Sequence, residues 1–187
     1  MVSSRYYRLV PDFSTSELLV RIANVVSAEL RAAASAHDLK PVQLQALQYL
    51  RRCNRYSDTP AALTEYLGLT KGTVSQTLIA LEGKGLLDKS PDPEDGRLVR
   101  LCLTPPGRAI ARKSLPVALE GLDDRVLQET LLSLLTAMQR ERGGRSFGVC
   151  SSCSHFETAT RGFRCGLTGE ALTQSESRKI CREHLAA

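Results

Sequence analysis

Between Thr59 and Thr104 the chain punctuates itself so closely that few folds can accommodate it. Asp58-Thr59-Pro60 sets a capping hydroxyl directly before a proline, an arrangement that opens helices, and AALTEYL then stops at Gly68. Thr70 can cap a second helix at once. On it Val74, Leu78 and Leu81 fall at i, i+4 and i+7 and make one apolar stripe, leaving Gly72, Thr73, Ser75 and Gln76 on or near the opposite side. Gly83-Lys84-Gly85 ends that helix, and LLDKS and LVRLCLT flank the polar loop Pro91-Asp92-Pro93-Glu94-Asp95-Gly96-Arg97. The second flank alternates Val99, Leu101 and Leu103 against Arg100, Cys102 and Thr104, the period of a half-buried strand, which predicts a β-hairpin. A short helix, a glycine turn, a polar-faced helix and a hairpin together make the spacing of a winged helix-turn-helix.

The flanks read as helices. Ser14-Thr15-Ser16-Glu17 is a capping box, and Leu18, Leu19, Ile22, Val25, Val26 and Leu30 follow at helical spacing towards Asp38. After Pro41 a second helix carries Leu44, Leu47 and Leu50 inward, with Gln43, Gln45 and Gln48 on other faces, until Arg51-Arg52-Cys53-Asn54 ends it. Beyond the hairpin, Thr104-Pro105 opens a helix that Pro116 and Gly121 interrupt. Asp123 or Asp124 can cap the next, where Leu127, Leu131, Leu134, Leu135 and Met138 line one face. That stripe exceeds what a small winged domain covers from within, so with the first helix it predicts a dimer interface; a core helix of a monomer is the competing reading. The expected fold is mostly α, an α+β winged helix, divided into an N-terminal dimerisation helix (1–40), a winged helix-turn-helix domain (41–113), a C-terminal dimerisation helix (114–142) and a Cys-rich tail (143–187). Arg142-Gly143-Gly144-Arg145-Ser146 reads as a flexible joint before that tail.

Charge is uneven along the 187 residues. Residues 41–113 hold 11 Lys and Arg against 7 Asp and Glu and contribute most of the net +5, which suits phosphate binding by counterion release, though a solvated surface would look the same. The segment MVSSRYYRLVPDFSTSELL lacks the apolar core of a secretory signal, and no run of about 18 apolar residues is present to span a bilayer. A cytoplasmic protein without membrane attachment is therefore expected, and its six cysteines, in a reducing compartment, read as metal ligands or redox groups rather than disulfides.

From about Val42 to Gly107 the residues resemble the MarR (multiple antibiotic resistance regulator) family of bacterial transcription factors. The resemblance rests on TPAALTEYLGLTKGTVSQTLIALEGKGLLDKSPDPEDGRLVRLCLTPPG, with its L-E-x-x-G-L bridge (Leu81, Glu82, Gly85, Leu86) and the L-T-x-x-G that closes the wing (Leu103, Thr104, Gly107). It implies a homodimer whose recognition helices enter successive major grooves of a palindromic double-stranded operator, with a small-molecule effector as a further option. Residue by residue it implies recognition-helix contacts at Thr70, Lys71, Thr73, Ser75 and Gln76, with Gln76 as the base reader, since its amide can pair bidentately with adenine. The family wing carries D-x-R with a further Arg beside it. Here Asp95-Gly96-Arg97 has Gly96 at that place, so Arg97 alone would reach a narrow minor groove, oriented by Asp95 and supplemented by Lys89 or Arg100.

The tail departs from that family pattern. Cys150, Cys153, Cys165 and Cys181 are written C-x2-C-x11-C-x15-C, and four thiolates so placed predict a metal or cluster site. Cys150-Ser-Ser-Cys153 can chelate from one turn, and Cys181 falls in a helix opened by the capping box Thr173-x-x-Glu176. His155 and His184 are alternate ligands. Zinc knuckles come as pairs of closely spaced ligands and only one such pair is present, which favours a redox-responsive iron–sulfur cluster; a structural zinc held by four Cys, or three Cys and one His, is the alternative. Cys53 and Cys102 lack a ligand-spaced partner, so core packing is expected of them, with thiol redox sensing as the other reading.

No Ser/His/Asp arrangement, phosphate-cradling glycine loop or pair of catalytic carboxylates stands out, so an enzyme is not expected. The remaining rival is a metal-binding scaffold for protein partners that has lost DNA specificity, against which the polar recognition face and the basic 41–113 segment argue.

Overall fold

A computed structural model of the chain describes residues 13–112, 124–141, 143, 145–159 and 162–186. Pro116, Gly121, Asp123, Arg142 and Gly144, to which the sequence assigned helix breaks, a cap and part of the joint, lie outside the described residues. Among the described residues, six α-helices and two small antiparallel sheets appear in the order α1 (Thr15–Ser35), α2 (Pro41–Arg52), α3 (Pro60–Leu67), α4 (Lys71–Gly83), β1 (Leu87–Pro91), β2 (Val99–Leu103), α5 (Pro105–Ala111), α6 (Arg125–Glu141), β3 (Phe156–Thr158), β4 (Phe163–Cys165) and β5 (Ala171–Leu172). Among the described residues no helix is long and apolar enough to cross a membrane.

Local chemistry sets the boundaries. Ser14 and Glu17 close the capping box of α1, Thr59 accepts from the Ala62 N–H at 3.2 Å, and Thr70 accepts from the Thr73 N–H at 3.2 Å. Gly68 ends α3 at φ +63°, a left-handed turn that only glycine adopts without cost, so α4 starts within three residues. Gln43 departs from the expected outward face. It is buried at the start of α2 because its side chain reaches back to accept from the Lys40 N–H at 2.8 Å.

Leu44, Leu47, Leu63, Val74, Leu78, Leu81, Leu87, Leu101 and Leu103 form one core beneath α2, α3, α4 and the wing. The wing pairs Leu87 with Leu103 and Pro91 with Val99. Gly107 explains the closing motif: a Cβ there would stand 2.0 Å from the Leu86 carbonyl oxygen, so α5 can pass this close to β1 only on glycine. Thr104 secures the same junction, donating to the Gly85 carbonyl at 2.8 Å while it caps α5.

Two apolar faces stay uncovered. No residue of α6 is buried, with Leu127, Leu131, Leu135 and Met138 between 37% and 50% exposed, and Leu18, Ile22 and Val25 of α1 are likewise open. Asp124 caps α6 by accepting from the Leu127 N–H at 2.9 Å.

The tail does not hang from a joint. Phe147, at φ +48°, turns its ring onto Tyr49 and Tyr66, with centroids 6.4 and 5.4 Å away, and both Phe147 and Ile180 belong to the main core. The tail's own sheet is β3-β4-β5, with Phe156 opposite Cys165 and Phe163 opposite Leu172. Cys181 is not helical, contrary to expectation. The Thr173/Glu176 capping box forms, but it opens only a single 3-10 turn, Glu176–Arg178, because from Lys179 onward the backbone pairs with α2 and with Gly148.

Candidate nucleic-acid interface and cysteine cavity

The face of α4 away from the core is open. Lys71, Thr73, Ser75 and Gln76 are exposed, while Val74, Thr77, Leu78 and Leu81 are buried. The hydroxyls of Thr70 and Thr73 stand 2.9 Å apart and hold the first turn. Among the described residues no hydrogen bond or ion pair engages the side chains of Lys71, Ser75 or Gln76, so these groups are available to a ligand.

The wing candidates differ from one another. Arg97 is exposed at the tip and its guanidinium has no partner among the described residues. Asp95 accepts from the Arg97 backbone N–H at 3.0 Å, so it orders the tip through the main chain rather than by gripping the guanidinium. Arg100 points inward: it donates to Asp92 at 2.5 Å, to Asp58 at 2.8 Å and to the Arg55 carbonyl at 2.7 Å, tying the wing to the α2–α3 loop. Backbone N–H groups of Asp95 and Glu94 and the Arg100 guanidinium hold the Asp92 carboxyl below its ordinary range. Lys89 is paired with Glu82 at 2.6 Å. The expected outward β2 position is thus a structural clamp.

The four tail cysteines line one cavity of about 100 Å³. Asn54, Tyr56, His155, Phe156 and Leu172 share its walls. Among the described residues no three His, Cys, Asp or Glu side chains stand close enough to close on a single ion as they are. Several sulfurs already accept hydrogen bonds. Asn54 Nδ2 donates to Cys150 Sγ at 3.8 Å and the Leu185 N–H to Cys153 Sγ at 3.5 Å. The Cys150 thiol donates to Cys181, which raises Cys150, with burial adding to it; the same bond pulls Cys181 down to about 6, against burial and with help from Asn54. Donation from Cys150 thus favours the thiolate form of Cys181.

His155 lies on the cavity wall. His184 does not line it: its Nδ1 is 2.7 Å from Ser146 Oγ and its Nε2 is 3.1 Å from Ser152 Oγ, and burial lowers its proton affinity. Gly148 makes room for that ring, since a Cβ there would stand 2.4 Å from it. Cys53 packs in the core, where burial pushes its thiol up to about 12, whereas Cys102 is exposed on β2 and does not pack as expected.

Sequence reasoning missed the residues that join the tail to the winged domain. Asn54 Oδ1 accepts from Ser57 Oγ at 2.7 Å, and Ser57 Oγ in turn accepts from the Arg182 N–H at 2.8 Å. Arg182 grips Glu65 of α3 with both ends of its guanidinium, at 2.8 and 2.5 Å. The Arg55 guanidinium and the Tyr56 hydroxyl meet Glu170. Nothing in local spacing signals such pairs.

Residues 37–98 match the model of the MarR family. Among solved structures the chain is similar to Staphylococcus aureus MepR in a DNA complex, at 23% identity and TM-score 0.56, over 70% of this chain and 99% of MepR. It is also similar to the transcription regulator MarR of Oenococcus oeni, at 20% identity and TM-score 0.59, over 70% and 100% of the two chains. A third is Bordetella bronchiseptica BpsR, whose DNA binding is regulated by 6-hydroxynicotinic acid, at 24% identity and TM-score 0.52, over 69% and 97%. No curated protein matches the sequence. These likenesses establish the MarR winged-helix fold, and about three-tenths of the chain has no counterpart in those neighbours.

Proposed function

We propose that this protein is a MarR-type transcription regulator, a cytoplasmic homodimer that binds a palindromic operator in double-stranded DNA, and that its four tail cysteines hold an iron–sulfur cluster. The observation that carries the DNA reading is the exposed polar row Lys71, Ser75 and Gln76 on α4, unpartnered among the described residues, with Arg97 at the wing tip, on a fold shared with a regulator solved on DNA. Thr70 and Thr73 sit where helix N-termini meet phosphate, and Gln76 is the base reader. Arg97 enters the minor groove. Lys89 and Arg100, held by Glu82 and by Asp58 and Asp92, stay secondary. The open stripes of α1 and α6 support a dimer through those helices. No catalytic role is assigned.

The cluster reading rests on Cys150, Cys153, Cys165 and Cys181 surrounding a cavity rather than converging on a point. A zinc ion needs four sulfurs about 2.3 Å from one centre. A cluster is a larger body, and N–H···S bonds such as those from Asn54 and Leu185 tune its potential. Two measurements test the whole. Affinity for a selected promoter fragment should exceed that for random duplex and fall steeply with salt; equal affinities would leave only a scaffold. Protein purified without oxygen should be brown and contain iron and sulfide, whereas a colourless protein with one zinc per chain would replace the cluster by a structural site.

A further inference from the structure

A second cavity, of about 280 Å³, opens where the tail meets the end of α2, and its charges are unbalanced. Leu50, Leu101 and Leu103 give it apolar surface, while Arg51 of α2, Arg108 of α5 and Lys179 of the tail bring cations to its walls. Three separate elements therefore supply the charge. Main-chain bonds set the tail's share in place: the Ile180 N–H donates to the Arg52 carbonyl at 2.9 Å and the Asn54 N–H to the Ile180 carbonyl at 2.8 Å, which brings Lys179 to the last turn of α2. Helix α5, capped at Thr104 and packed on α2, carries Arg108 to the same walls.

The acidic groups nearby are already committed. Asp58 is the one carboxylate on these walls among the described residues, and it accepts from the Arg100 guanidinium at 2.8 Å. Glu170 and Glu176 meet Arg55, the fourth cation of the cavity, and Glu176 also accepts from the Thr173 N–H at 2.8 Å. Among the described residues no ion pair or hydrogen bond engages the side chains of Arg51, Arg108 or Lys179. Like charges gathered in a concave site repel one another and concentrate anions there. Arg52 and Arg178, the chain neighbours of Arg51 and Lys179, are exposed and do not line the cavity, so the three cations are set apart from the solvated charges beside them.

We propose that this cavity binds a phosphate dianion, free or as the monoester of a small metabolite. Three uncompensated cations favour a ligand with more than one negative charge, and a phosphate monoester carries about −1.5 to −2 near neutral pH on three strong acceptor oxygens. The guanidinium forks of Arg51 and Arg108 suit paired phosphate oxygens, and Lys179 adds a point charge. Leu50, Leu101 and Leu103 offer apolar surface to the organic part of an ester. The volume lies just under the roughly 300–1,000 Å³ of drug-sized sites, which limits that part to a few carbons. Bound phosphate bridges α2, α5 and the tail and so fastens the tail to the winged domain. The site requires neither a metal at the cysteines nor DNA.

The test titrates inorganic phosphate and glycerol phosphate into the full-length protein by calorimetry at constant ionic strength, with potassium chloride and acetate as controls. Each phosphate probe should bind once per chain with a dissociation constant below about 1 mM and raise the thermal midpoint. Tighter binding of glycerol phosphate identifies an ester as the ligand, and equal affinity identifies free phosphate. Arg51→Ala, Arg108→Ala and Lys179→Ala should each weaken binding by about tenfold or more, the scale of one charge-assisted hydrogen bond, while Arg52→Ala should not. Without phosphate the thermal midpoints of Arg51→Ala and Arg108→Ala should not fall, since repulsion is relieved and no bond is lost; a structural role would lower them. The proposal is overturned if neither probe binds saturably by about 10 mM, if acetate or chloride binds as well, or if the three variants keep wild-type affinity. Weaker duplex binding by these variants on all sequences, with no phosphate bound by wild type, would also overturn it and assign the cations to the nucleic-acid interface.

Discussion

Ile180 runs beside Cys53 as a parallel bridge, its N–H donating to the Arg52 carbonyl at 2.9 Å and its carbonyl accepting from the Asn54 N–H at 2.8 Å. The last residues of α2 and the approach to Cys181 thereby share one main-chain ladder. The tail is consequently part of the winged domain's own structure, and perturbing either is expected to register in both.

Phe147 is the apolar anchor of that contact. Phe147→Ala removes a buried ring packed edge-on against the Tyr49–Tyr66 pair and should cost about 3 kcal/mol, the usual scale for emptying a phenylalanine site. Denaturant unfolding of the full chain reads this directly. A change under about 1 kcal/mol would mean the tail is not docked in solution.

Gly107→Ala should be more damaging than its size suggests. The added carbon would meet the Leu86 carbonyl oxygen, a backbone atom that cannot step aside, so α5 must shift. Overpacking of this kind typically costs about 1–3 kcal/mol or more, and the thermal midpoint should drop accordingly. Gly96→Ala at the wing, where the same carbon meets open space, is the control.

The two wing arginines should separate binding from stability. Arg97→Ala is expected to weaken operator binding by about 1–3 kcal/mol with an unchanged thermal midpoint, because the side chain has no partner among the described residues. Arg100→Ala should lower the midpoint, since it strips Asp58 and Asp92 of their partner. Gln76→Ala should relax preference at one operator position only. A uniform loss across sequences would reassign Gln76 to backbone contact.

Each of Cys150→Ser, Cys153→Ser, Cys165→Ser and Cys181→Ser should lose the metal to a similar degree, since every ligand closes the same site. Cys53→Ser and Cys102→Ser should retain it. In metal-free protein the Cys53 thiol, pushed up to about 12 by burial, should resist alkylation at pH 8 until the core unfolds. Metal retention in Cys165→Ser would point to His155, the histidine on the cavity wall.

Acid should release the clamp on α3. The hydrogen bond from Arg182 holds the Glu65 carboxyl below its ordinary value of 4.5, so the contribution is complete above that value and is lost as pH falls through the lower folded value. The thermal midpoint of wild type should therefore exceed that of Glu65→Gln near pH 7, with the gap closing below about pH 4. A gap that persists in acid would mean that the Glu65→Gln variant is weakened by something other than the loss of charge.

Sequence by itself determined what depends on near neighbours along the chain. Thr59, Thr70 and Thr104 cap the helices the spacing assigns to them, Gly68 turns the chain, and Val74, Leu78 and Leu81 are buried as their period requires. These signals are legible because a cap, a turn or an apolar stripe is decided within a few residues. The tertiary structure alone decided where Arg100 points, that Cys102 is exposed, and that Asn54 meets a cysteine 96 residues away. It also turned the tail from an appendage on a joint into a body docked on α2 and α3. Such pairings leave no period to read: they arise where surfaces from distant segments must satisfy each other's polar groups once both are buried, and only the folded arrangement of those surfaces says which groups meet.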